Sequence, residues 1–353
     1  MENDYLKGRG AQINPQNPFH KNHFVQEHWE GIDEPELEDA PQTQIFYETP
    51  KKILSTNNST DIPFTYSINP YQGCEHGCIY CYARETHEYW GLSAGRDFET
   101  KIIVKKNAPQ LLEKQFLHKN WKSTPVMLSG NTDCYQPLEK KLKITREILK
   151  VFAKYANPVS IISKNALIVR DLDILRDLAA DNLVHVYISI TSQEESLRRL
   201  LEPRTATYSK KLQVIEQLSQ AGVPVGVMIA PIIPGLNNHE IFHIMQSVAE
   251  RGARSAGYTV VRLNGSIAPV FKDWLEKNFP DRAQKVWNQI KALHGGQIDD
   301  KSWGRRMSGD GAIAQNIQQM FRLARKKFMG EAKLPPYDLN KFRKNGNLNL
   351  FEF

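Results

Sequence analysis

Cysteine is scarce in this 353-residue chain: there are four, and three of them fall within eight residues. So sparse and clustered a set excludes a disulfide framework, because neighbours that close cannot brace separate elements. Long apolar runs are also missing. No stretch approaches the roughly 20 consecutive apolar residues of a membrane span, and the polar start MENDYLKGRG lacks the apolar core of a secretory signal. The expected location is therefore the cytoplasm. Neither GxGxxG nor GxxxxGKS follows the first strand-like run, FTYSI at 64–68, which counts against a nucleotide-binding open sheet. The stretch EHWEGIDEPELEDAP at 27–41 holds seven acids and no Lys or Arg, so elsewhere 46 basic side chains face only 32 of the 39 acids. That local excess of +14, against a formal total of +7, suits a polyanionic partner such as nucleic acid; simple solubility is the other reading.

A hydrophobic content of 41% lets the chain bury a sizeable core, as one large domain with additions or as two smaller ones. Residues 1–60, rich in Asn, Gln, Pro and acids, read as an irregular arm. From there the texture changes. FTYSI, PVMLSG at 125–130, VSIISK at 159–164, HVYISIT at 185–191, VPVGVMIA at 223–230 and GYTVVRL at 257–263 read as strands. Between them APQLLEKQFLHKN, TREILKVFAKY, LDILRDLAADN, KKLQVIEQLSQAG and NHEIFHIMQSVAERG space apolar residues three and four apart, as helices do. Six strand–helix units, the first running straight into the cysteines, predict an α/β protein with a partial (β/α)6 TIM-type barrel over 61–265. A helical C-terminal extension over 266–330 and a flexible tail over 331–353 follow. In such barrels chemistry gathers at the C-terminal ends of strands.

Cys74, Cys78 and Cys81 are spaced C-x3-C-x2-C in NPYQGCEHGCIYCYAR, just after the first strand. Three thiolates can converge on one inorganic centre and leave a coordination site open, as for a four-iron cluster that binds a substrate. Zinc is the alternative, with His76, His87 or Cys134 completing a tetrahedral set. Tyr80 places an aromatic immediately before Cys81.

C-x3-C-x-aromatic-C at this position resembles the radical S-adenosylmethionine (SAM) superfamily, and CEHGCIYCYAR with LEPRTAT resembles its spore photoproduct lyase-like branch. The resemblance covers roughly residues 60–265. It implies a [4Fe–4S] cluster on Cys74, Cys78 and Cys81 that binds SAM and, once reduced by a donor such as flavodoxin or ferredoxin, generates a 5′-deoxyadenosyl radical. Tyr80 would lie at that site. Gly130, Asn131, Thr132 and Asp133 of SGNTD would approach the methionyl amine, and Lys164 the SAM carboxylate. Ser189 and Thr191, two apart on one side of the fourth strand, would hold the ribose, and Asn264 would approach the adenine. Arg204 in LEPRTAT would grip a carboxylate or phosphate, or form a structural ion pair.

The lyase returns a hydrogen atom from a cysteine after its second strand; here Cys134 falls nearby without a clean positional match, and a small buried thiol is the other reading. The resemblance thus implies an enzyme, possibly a lyase, acting on a DNA base or lesion. The alternatives are a radical SAM enzyme modifying RNA or protein, and a zinc-stabilised nucleic-acid-binding module. Finally, Asn347–Phe351, reading NLNLF, resembles the short peptides that dock bacterial repair proteins onto the sliding clamp; the tail could instead fold back and cap the barrel.

Overall fold

The computed structural model describes residues 8–19, 43–59, 61–300 and 302–346. Six parallel strands, Tyr66–Ile68, Val126–Leu128, Val159–Ser163, Val184–Ile190, Val225–Ile232 and Ser255–Val260, lie side by side in sequence order, and Leu54–Thr56 pairs antiparallel with the first. Each crossover carries a helix: Ala108–Leu117, Ile144–Tyr155, Leu172–Ala180, Tyr208–Gln220 and Ile241–Glu250. This is the open (β/α)6 barrel that the alternating pattern predicts.

Strand periodicity separates two faces. Val126, Leu128, Val159, Ile161, Val184, Val186, Ile188, Val225 and Val227 are buried under the helices. Each such side chain contributes roughly 1.5–3 kcal/mol of burial. The helix Ile144–Tyr155 answers them with Ile148, Leu149 and Phe152. The opposite face is more polar, with Ser67, Ser160, His185 and Ser189 beside the half-buried Tyr187. Gly226 is required there: a Cβ on it would stand 2.5 Å from Cε1 of Tyr187, whose ring lies across the fifth strand.

Between the first two barrel strands the chain builds a second small sheet from Tyr71–Gln72, Lys101–Val104 and, from the N-terminal stretch, Gln44–Tyr47. The stretch read as an irregular arm therefore contains two strands. Residues 8–19 also form a strap across the cysteine loop. Beyond the sixth strand come the helices Ile267–Asn278, Ala283–Leu293 and Gly311–Phe328.

Residues 334–346 then run back over the N-terminal ends of the strands. The carbonyl of Pro335 lies 2.8 Å from Nε2 of His185, Tyr337 stacks on His185 at 4.0 Å, and the Arg343 N–H donates to the Tyr155 carbonyl. Residues 334–346, within the segment expected to be a flexible tail, thus form a strap at the bottom of the barrel, opposite the cysteines. The clamp-like segment Asn347–Phe351 lies outside the described residues. Among the described residues no helix is long and apolar enough to cross a membrane.

Candidate cluster and S-adenosylmethionine site

The cysteine loop leaves the small sheet through Gly73 and turns again at Gly77, both at positive φ, where glycine carries no steric penalty. Its outer side is held by Arg84, fully buried, whose guanidinium donates to the Cys78 carbonyl twice (3.0 and 2.8 Å), to the carbonyls of Ala94 and Gly95, and to Oε1 of Glu99. Glu99 is equally buried and also accepts from the N–H groups of Gly10 (3.1 Å) and Ala11 (2.7 Å), so one carboxylate fastens the N-terminal strap to the loop. The fit is close, since a Cβ on Gly10 would come within 1.8 Å of the Gly77 carbonyl oxygen.

All three loop cysteines are free thiols; Cys74 and Cys78 are buried and Cys81 is partly exposed. Burial, reinforced by Asp133, pushes the Cys74 thiol well up; burial raises Cys78 to about 12, with Lys164 pulling the other way. Thiols in such a place ionise only when a positive centre binds them.

A zinc ion would need a fourth ligand beside the three thiols. Nε2 of His76 bonds Asn165 and its Nδ1 faces Asp133 at 3.4 Å, Nε2 of His87 is engaged by the Lys101 carbonyl at 2.8 Å while its Nδ1 is buried without a hydrogen-bond partner, and Cys134 lies in the apolar core. Three soft donors on one loop suit a four-iron cube with one iron left open.

The strand ends arrange themselves around this loop. Asp133 accepts from Ser163 Oγ (2.9 Å) and from the Lys164 N–H (2.7 Å) while facing His76, so it ties the second and third strand ends to the cysteine loop. Burial keeps that imidazole neutral by lowering its pKa. Lys164 itself is half-buried, and its ammonium has no hydrogen-bond or carboxylate partner within 4.0 Å among the described residues. Burial disfavours its charge, but Cys78, Glu202, Asp133 and Cys81 outweigh that and raise its pKa.

Thr191 is spent within the protein, its Oγ1 lying 2.9 Å from the Ala230 carbonyl, 3.0 Å from Oε2 of Glu202 and 2.9 Å from the Tyr80 hydroxyl. Tyr80 also donates to Glu202 Oε2, and Lys211 donates to Oε1 at 2.5 Å. Burial would push the Glu202 carboxyl up, but Lys211 and Lys164 hold it at about 2.

Ser189 is buried on the same strand. Gly130 packs on Ser67 and accepts from the Tyr82 hydroxyl; Asn131 is exposed, and its N–H donates to Oδ1 of Asn69 at 2.7 Å. Thr132 donates to the Tyr71 carbonyl. At the end of the sixth strand Oδ1 of Asn264 is buried and has no hydrogen-bond partner.

Two expected residues stand apart. Cys134 is fully buried with Tyr71 and Tyr135, away from the loop thiols. Arg204 reaches Glu75 at 3.7 Å and donates its N–H to the His76 carbonyl, bracing the cysteine loop. Sequence reasoning missed Asn69, Arg84, Glu99, Glu202 and Lys211. Asn69 and Arg84 stand at the two ends of the quoted NPYQGCEHGCIYCYAR and Glu202 lies in the quoted LEPRTAT, whereas Glu99 and Lys211 carried no signal.

Comparison with known proteins shows the family. An uncharacterized protein of Mycobacterium tuberculosis is 33% identical over 226 residues, 64% of this chain and 66% of that protein, so the match spans just under two thirds of that relative. An uncharacterized protein of Methanocaldococcus jannaschii is 30% identical over 66% of this chain and 83% of its own length. Among solved structures, a Y98F mutant of spore photoproduct lyase superposes with a TM-score of 0.58 at 15% identity, covering 82% of this chain and 80% of its own. The same lyase complexed with dinucleoside spore photoproduct gives 0.57. At those identities the likeness speaks for the fold. The radical SAM superfamily model matches residues 68–248, just over half of the sequence, and the chain belongs to that superfamily, whose members use a [4Fe–4S] cluster and SAM.

Proposed function

We propose that this radical SAM enzyme acts on a base or lesion in nucleic acid, most specifically as a lyase-type enzyme on DNA. The observation that carries the choice of substrate is the set of exposed aromatics on and after the cysteine loop, where Tyr82, Tyr89 and Trp90 are 49%, 78% and 42% exposed, Arg262 lies over Tyr82 and Phe19 stacks on Tyr89. Exposed aromatic faces among cations suit stacked bases and phosphates better than a peptide. The basic excess outside residues 27–41 supports it, as does the complex of a similarly folded lyase with a dinucleoside lesion.

When bound, the cluster and SAM supply a 5′-deoxyadenosyl radical. The chain's own residues hold and orient that pair. Cys74, Cys78 and Cys81 hold the iron, and Lys164 takes the SAM carboxylate. The loop 130–132 faces the amine, Ser189 the ribose, and the unpartnered Oδ1 of Asn264 accepts from the adenine amino group. Thr191 and Asp133 act from behind by fixing Tyr80 and the strand ends. Free thiols and a low-potential cluster suit the reducing cytoplasm, with a flavodoxin or ferredoxin as electron donor. The segment Asn347–Phe351 would dock a sliding clamp.

The test is to incubate reduced, reconstituted protein and SAM with irradiated DNA, undamaged DNA, RNA or peptides, and to follow 5′-deoxyadenosine together with lesion loss. Stimulation by irradiated DNA supports the proposal. Stimulation by RNA or peptide alone overturns it in favour of a modifying enzyme.

A further inference from the structure

The sixth strand ends at Val260, and two residues on Arg262 turns its guanidinium across the mouth of the barrel. It is half-buried, centred 5.5 Å from the ring centroid of Tyr82, with NH1 at 3.2 Å from the Met307 sulfur. No carboxylate lies within 4.0 Å of it among the described residues. Its neighbours are otherwise engaged: Arg305 is paired with Asp300 and Arg306 with Asp61. Burial and the nearby charge of Arg306 lower its pKa against the opposing pull of Tyr82, Asp61 and Glu85, and a guanidinium does not give up its proton in a protein. A half-buried cation is thus held at the barrel mouth against an aromatic ring, with no carboxylate in direct contact among the described residues.

What would neutralise it is shown by what flanks it. On one side is Tyr82, half-exposed, its hydroxyl tied to the Gly130 carbonyl. On the other is the loop 302–308, where Trp303 is 59% exposed. That loop is clasped to the segment preceding the first strand, since Asp61 accepts from the Gly304 N–H (3.0 Å) and from Arg306 Nε (2.7 Å). A planar five-donor cation in contact with Met307 of the loop that carries a solvent-facing indole, itself 6.0 Å from Arg306, matches the phosphate and base of one nucleotide.

We infer that Arg262 binds a phosphate of the substrate strand at the barrel rim, with Trp303 as the stacking face for the adjoining base. This rests on the nucleic-acid reading above and adds the residues that read the strand.

The experiment is fluorescence anisotropy of the full-length protein with a labelled single-stranded oligonucleotide between 50 and 200 mM salt. Arg262→Gln is expected to weaken binding about tenfold and to flatten the plot of log affinity against log salt by about 0.7, the loss of one phosphate contact. Arg262→Lys, which keeps the charge, restores the slope. Trp303→Ala weakens binding and leaves the slope alone. If the wild-type protein binds the oligonucleotide and Arg262→Gln and Arg262→Lys both match it in affinity and slope, the Arg262 assignment is wrong while the nucleic-acid reading stands. If the wild-type protein ignores oligonucleotides and binds an acidic peptide, both fall.

Discussion

Replacing Arg84 by Met breaks the buried pair through which the cysteine loop is joined, by way of Glu99, to the N-terminal strap. Arg84 and Glu99 are each fully buried and 2.5 Å apart, and all five guanidinium donors are used within the protein. Without Arg84, the Glu99 carboxylate keeps the Gly10 and Ala11 amides and the less direct charge of Arg9, which bonds the Glu99 carbonyl, and the carbonyls of Cys78, Ala94 and Gly95 lose their guanidinium donor. Breaking a buried pair on one side costs about 3–5 kcal/mol, because an uncompensated charge remains. Pairing the change with Glu99→Gln relieves that charge, so the double mutant is expected to fall short of the sum of the singles by about 2 kcal/mol. Urea denaturation of the metal-free protein by circular dichroism gives the stability, and iron content after anaerobic reconstitution reports on the loop. Arg84→Met within about 1 kcal/mol of the wild type and holding a full complement of iron would refute the idea that this pair mounts the cluster loop.

The remaining expectations are quickly tested. Alanine at Cys74, Cys78 or Cys81 abolishes iron retention and SAM cleavage, whereas Cys134→Ala keeps both; iron loss in the Cys134 variant would mean the ligand set is misassigned. Lys164→Ala weakens SAM binding by about 1.5–3 kcal/mol with iron retained, and unchanged affinity in calorimetry would leave Lys164 without that role. Burial lowers the His87 pKa from 6.5 to about 4, so between those values the unfolded chain binds a proton that the folded one refuses. Stability of the metal-free protein is therefore full above pH 6.5 and declines by about 3 kcal/mol as pH falls toward 4, and His87→Gln should remove that part of the slope; an identical pH profile for the variant would rule it out. A peptide of residues 340–353 is expected to bind purified sliding clamp in the micromolar range, about −8 kcal/mol, and to lose that binding with Leu350→Ala and Phe351→Ala; a peptide that does not bind removes the docking idea.

The strands and crossover helices were legible because their signal is apolar periodicity, which burial against a sheet enforces directly. VSIISK and HVYISIT were read within a residue or two of Val159–Ser163 and Val184–Ile190. The two straps were not legible, since what holds them is backbone hydrogen bonding to Glu99 and one His185–Tyr337 stack, neither of which leaves a period in a polar, proline-containing sequence. Cys134 shows how local geometry overrides proximity in sequence. Ser129 adopts a φ of 82° and its Oγ accepts from the Cys134 N–H, so the loop turns and Asp133 faces the cysteine loop while the Cys134 thiol drops into the core.

The charges behind the site follow a logic that no single motif carries. An isolated lysine at a buried strand end would shed its proton, because desolvation disfavours the ammonium. Lys164 keeps it through the field of Asp133, Glu202 and the loop thiols, none of which is close enough to occupy it. Glu202 in turn stays ionised because Lys211, nine residues on and facing it across the next helix, is bonded directly to it. Lys211 and Glu202 are therefore paired with one another, Asp133 is consumed in tying the strand ends, and Lys164 is left as an ammonium with no direct partner among the described residues. An arrangement that holds a cation charged but uncommitted in a desolvated cleft is matched to an incoming carboxylate, and the same electrostatics would repel a cationic ligand lacking one. Under the proposed role of Lys164, discrimination for an amino-acid end on the cofactor would originate in the Glu202–Lys211 pair, which bonds neither the cluster loop's sulfurs nor the Lys164 ammonium.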